Sequence, residues 1–207
     1  MRGGTGSIGF GAGLAALALW AAAAHAQTAW IGQRPDLPSA PDKRFDAFYA
    51  AEGLKLSPYR SVYIAPIQLA DGGVPGVGAE EAERLIAALE TQLEDKLTGL
   101  LAPAGGPGTG VLVLEITVTG LTPNQPQNIA PTEPGESKVV QIGGAAMQAV
   151  LKDGETGRVL IALQDDRSGE PLETNLNLIS IWGDAHDAFR DWSRGLTRKL
   201  AEMRGQG

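Results

Sequence analysis

Hydrophobic and polar positions change period several times along this chain, and each change marks an element. The run SVYIAPIQLA, residues 61–70, is short, apolar and rich in β-formers, and reads as a first strand. Pro66 inside it cannot donate to a ladder, so the strand is expected at a sheet edge or with a bulge there. The period then becomes helical. Within residues 79–101, Ala82, Leu85, Ile86, Leu89, Leu93, Leu97 and Leu100 form one stripe, and Glu80, Glu81 and Glu83 occupy the first turn, where the helix dipole favours acids.

Strict alternation follows in VLVLEITVTGL, residues 111–121. Leu112, Leu114, Ile116 and Val118 share one face, with Val113, Glu115, Thr117 and Thr119 on the other, which predicts a strand buried on one side. KVVQIGGAAMQAVL, 138–151, and VLIAL, 159–163, then read as the arms of a hairpin. Asp153 and Gly154 begin its turn, and Gly157 takes the left-handed position that a type I turn with a bulge requires. The Gly143-Gly144 pair predicts a bulge or a close approach of backbone. Over 179–203, Trp182, Ala185, Phe189, Trp192, Leu196, Leu200 and Met203 form a second helical stripe, expected in the core. The expected fold is α/β (α+β): a mixed four-stranded sheet in the order β-α-β-β-β-α. Its first crossover is parallel and right-handed, the later strands are antiparallel, and both amphipathic helices pack on one face.

The chain opens differently. Arg2 precedes an uncharged, mostly apolar run from Ile8 to Ala24, and AHA at 24–26 places small residues where signal peptidase cuts, so residues 1–26 read as a general secretory signal. An uncleaved anchor is the competing reading, but the run is shorter than the roughly 20 residues of a span and holds three glycines. Residues 27–54, with Pro35, Pro38 and Pro41, read as an extended tether, and 55–204 as a single domain.

Composition narrows the chemistry. Arg2 is the only charge in 1–26, so the exported chain keeps 16 basic and 24 acidic residues, a net of −8 that repels nucleic acid and anionic lipid. Cysteine is absent, which excludes disulfides, thiolate metal sites, a catalytic thiol and a lipid-anchoring cysteine. His186 is the one histidine beyond the signal, so multi-histidine zinc sites are excluded.

Few places remain for a site. In QDDR, Asp165 and Asp166 are adjacent on a strand and should point to opposite faces, which suits a strand end pairing with Arg167 better than a shared metal or acid/base pair. In GDAHDAF, Asp184 and Asp187 do not align with His186 on a helix face, so Asp184 is read as charging the helix N-terminus and His186 as a surface residue. The glycine-rich runs DGGVPGVG and AGGPGTG lack phosphate-loop spacing. No catalytic, cofactor-binding or metal residue is assigned.

Four segments in order, SPYRSVYIAPIQL, VLVLEITVTGLTPNQP, GGAAMQAVLKDGETGRVLIALQDDRSG and WGDAHDAFRDWSRGL, resemble the bacterial DUF3313 family of unknown function over roughly residues 55–200. Family members look like cell-envelope lipoproteins. This chain departs from them at Ala65, where an acid typically precedes the proline, and in its missing anchor cysteine. The resemblance implies an envelope location and no established activity. The leading expectation is therefore a non-catalytic periplasmic accessory or binding protein that contacts another envelope protein, through a sheet edge for example. The alternatives are a carboxylate-dependent hydrolase or metal-binding enzyme using Asp165, Asp166 or Asp184, and a small-ligand carrier with an apolar cavity between helices and sheet.

Overall fold

A computed structural model describes residues 36–70, 77–124, 143–169 and 180–205. The two helical stripes become α1, Ala79–Leu97, and α2, Gly183–Gly205. Ala82, Leu85, Leu89, Leu93 and Leu97 of α1 are buried, as are Ala185, Phe189, Trp192, Leu196 and Leu200 of α2. The helices touch each other, while α2 also contacts β6 (Gly144–Asp153) and β7 (Val159–Ser168) and α1 contacts β2 (Ser61–Ile64).

The sheet is mixed, as expected, but larger than four strands. Its seven strands run in the order β1 (Ala47–Ala50), β7, β6, β5 (Val111–Thr122), β2, β4 (Ala102–Pro103), with β3 (Gln68–Leu69) also paired to β5. β2 and β5 (Val111–Thr122) are parallel across α1, whereas β5, β6 and β7 are successively antiparallel. Three short strands account for the difference. Pro66 splits the expected first strand, so that Gln68–Leu69 pairs with β5 as a separate β3. Ala102–Pro103, just past the α1 stripe, adds a two-residue β4 on β2. Ala47–Ala50, inside the segment read as a tether, is β1 and pairs antiparallel with β7. Elements of two to four residues carry too few positions for a period to register.

The part of residues 27–54 that the structure describes is packed on the domain. Phe45 and Phe48 are buried, and Ala40 N–H donates to Phe48 O at 2.9 Å. The signal segment 1–26 and residues 27–35 lie outside the described residues. Among the described residues no helix is long and apolar enough to cross a membrane.

The hairpin forms on its local chemistry. Gly157 has φ +69°, its N–H donates to Asp153 O at 2.8 Å, and Asp153 N–H donates to Arg158 O at 2.9 Å. Asp153 Oδ1 accepts from the Thr156 N–H at 2.7 Å and the Glu155 N–H at 3.1 Å, and its Oδ2 accepts from the Tyr59 hydroxyl at 2.6 Å. The two backbone bonds between Asp153 and the pair Gly157 and Arg158 set that pair together opposite Asp153, the expected bulge, and the pairing register shifts once more between Leu151 and Lys152. The close approach expected at Gly143-Gly144 is present too: a Cβ on Gly144 would lie 2.2 Å from Arg167 O.

Candidate functional site

β7 ends in Asp165-Asp166-Arg167-Ser168, and strand alternation decides the fate of each side chain. Asp165, opposite Met147, is 3% exposed and faces α2, while Asp166 is turned outward and exposed. A buried carboxylate needs donors for its oxygens. Asp165 receives them from three elements: Oδ2 accepts from Arg167 Nε at 2.6 Å and from Trp192 Nε1 at 2.7 Å, and Oδ1 accepts from the Asp46 N–H at 3.0 Å. Asp46 returns the bond, its Oδ2 accepting from the Asp166 N–H at 2.9 Å. Arg167 continues outward, donating to Arg44 O at 2.7 Å and to Asp191 at 3.3 Å. Burial raises the Asp165 carboxyl above its ordinary range, against the opposing pull of Arg167, Trp192 and the Asp46 N–H.

A second ionic group fastens the same lead-in to β1. Asp42 accepts from Arg44 at 2.7 and 2.8 Å and faces Lys199 Nζ at 3.0 Å, while Arg44 also donates to Glu202 at 2.6 and 2.8 Å. The Arg44 guanidinium holds the Asp42 carboxyl well below the usual carboxylate range. Lys199 Nζ also sits 4.8 Å over the centre of the Phe48 ring.

Between the end of β7, the first turns of α2 and residues 43–46 lies a cleft of about 620 Å³. Asp46, Asp165, Asp166, Asp184, Asp187 and Asp191 contribute to its walls, with Lys43, Arg44, Arg167 and Arg190 among them. Several of these charges are already committed: Arg167 to Asp165 and Asp191, and Arg190 to Asp187 at 2.6 Å, within the cleft, and Arg44 to Asp42 and Glu202 outside it. Asp184, in the first turn of α2, is 6% exposed, and its carboxylate lies against Gly169, where a Cβ would stand 1.9 Å from Oδ2. His186 is half-buried rather than on the surface, its ring edge-on to Phe189 at 5.9 Å. Among the described residues no group of three or more His, Cys, Asp or Glu side chains is placed to hold a metal ion. Of the aromatics on the second helical stripe, Phe189 and Trp192 are core, each 1% exposed, and Trp182 is half-buried against it.

A cavity of about 160 Å³ with a mixed polar and apolar lining lies between β2, β4 and the end of α1, bounded by Val62, Ile64, Leu97 and Pro103 with Glu94 and Thr98. It is smaller than the roughly 300 Å³ at which sites for drug-sized ligands begin.

Sequence reasoning singled out Asp165, Asp166, Arg167, Asp184 and His186, of which the structure brings all but His186 to the cleft wall. It missed Asp42, Arg44, Asp46, Asp191 and Lys199. Asp46 lies 119 residues from Asp165, and no local pattern signals such a pairing.

Residues 37–196 match the family described as "Protein of unknown function (DUF3313)". No curated protein matches the sequence. Among solved structures, the PelC dodecamer from Paraburkholderia phytofirmans is similar at 11% identity and a TM-score of 0.40, covering 70% of this chain and 96% of that one. A Helicobacter pylori protein described as a neuraminyllactose-binding hemagglutinin homolog is similar at 12% identity and a TM-score of 0.43, over 74% of this chain and 88% of that one. A minor lipoprotein from Acinetobacter baumannii is similar at 15% identity and a TM-score of 0.35, over 70% and 95%.

Proposed function

The chain belongs to the DUF3313 family, and from that premise we propose that it is a non-catalytic accessory or binding protein of the bacterial cell envelope, exported to the periplasm by its N-terminal signal. The observation that carries the non-catalytic part is the state of Asp165. It is the buried carboxylate of the cleft whose titration is displaced, and among the described residues its bonds run to Arg167, Trp192 and the Asp46 N–H. A general acid or base must reach a substrate proton with an oxygen of its own. Here those oxygens hold three elements of the fold together.

The partner is another envelope protein, and the cleft is its contact surface. The sheet edges favour this choice over strand addition. Along β1 the outer edge is taken by residues 38–40, through the Ser39–Tyr49 bridge and the Ala50 N–H donating to Pro38 O at 3.2 Å. At the other edge β4 has two residues, one of them Pro103, which has no N–H to offer. The cleft instead presents exposed side chains of both signs, Lys43 and Asp166 among them. Polar, charge-bearing surfaces of this kind set orientation and partner choice.

Photocrosslinking in intact cells tests the reading. A crosslinking residue at Lys43 or Arg190 should yield a discrete adduct with an envelope protein, and one at Glu83 on α1 should not. The mature protein recovered from the same cells should begin at Gln27 and carry no acyl chain. Equal labelling from all three positions would remove the cleft as the contact surface. A hydrolytic activity abolished by Asp165→Asn or Asp166→Asn would put the enzyme reading in its place.

A further inference from the structure

We draw no further inference here: the strongest candidate, the acidic cleft between the end of β7, the first turns of α2 and residues 43–46, belongs to the site already described, and no unpartnered buried group among the described residues points into it to say what chemistry would occupy it.

Discussion

The indole Nε1 of Trp192 donates to Oδ2 of Asp165 across 2.7 Å, a fully buried bond between the middle of α2 and the end of β7. It ties the polar end of the sheet to the apolar core, because the Trp192 ring also packs on Phe189 at 5.7 Å. Truncating either partner therefore does two kinds of damage. Trp192→Ala should cost about 3 to 5 kcal/mol, chiefly through the cavity it leaves. Trp192→Phe keeps most of the volume and removes one donor, at about 1 to 3 kcal/mol. Asp165→Ala leaves the buried indole N–H without its acceptor, while Arg167 keeps Arg44 O and Asp191, at about 1 to 3 kcal/mol. Chemical denaturation measures all three, and a Trp192→Ala loss below about 1 kcal/mol would mean that the stripe is not core.

Glycines of the hairpin and its strand pairing fail for different reasons. At Gly157 a Cβ would meet nothing within 4 Å, so Gly157→Val suffers from its positive φ alone. The expected loss is about 1 to 2 kcal/mol, with Gly157→Asn losing less because asparagine tolerates that region. At Gly144 the conformation is ordinary, but a Cβ would meet the Arg167 carbonyl at 2.2 Å. Gly144→Ala must push β6 from β7 and should lose more than Gly157→Asn. Thermal unfolding of the three variants orders them, and a harmless Gly144→Ala would contradict the observed strand spacing.

Acid should weaken the protein partly through Asp153. The Tyr59 hydroxyl bond, with those from Thr156, lowers its carboxyl from 3.8 to about 2. A depressed carboxyl contributes stability that is present above its unfolded value and lost as pH falls through the folded one, here from about pH 4 to 2. Burial and the same bond push Tyr59 from 10.0 to about 12, so its contribution is lost as pH rises through that interval. Tyr59→Phe should flatten both limbs of the stability profile. Asp165 works in the opposite sense on the acid side, since a carboxyl raised by burial takes up its proton more readily when folded. Asp165→Asn should therefore steepen the net acid loss, as read by denaturation at a series of pH values.

Millimolar magnesium, calcium or manganese should leave the melting temperature unchanged. A cation binding only the folded state at about 100 times its dissociation constant would add roughly 2.7 kcal/mol, well within calorimetric reach. A rise in Tm that disappears in Asp166→Asn or Asp184→Asn would show that the cleft aspartates ligate metal after all.

Much of the architecture was legible without coordinates because its signals are local. The stripes of α1 and α2 repeat within one or two turns, and the turn around Gly157 is dictated by a handful of adjacent residues, so neighbouring side chains carry the information. Alternation likewise separated Asp165 from Asp166, since adjacent strand residues must face opposite sides. Tertiary structure alone decided which of them is buried and what meets it there. The donors come from Asp46, 119 residues earlier, and Trp192, 27 residues later, and the lead-in carrying Asp46 docks because Phe45 and Phe48 have a core to enter. A carboxylate's burial, its displaced titration and the cleft beside it are properties of distant groups brought together, and they exist only once hydrophobic packing has closed the chain on itself.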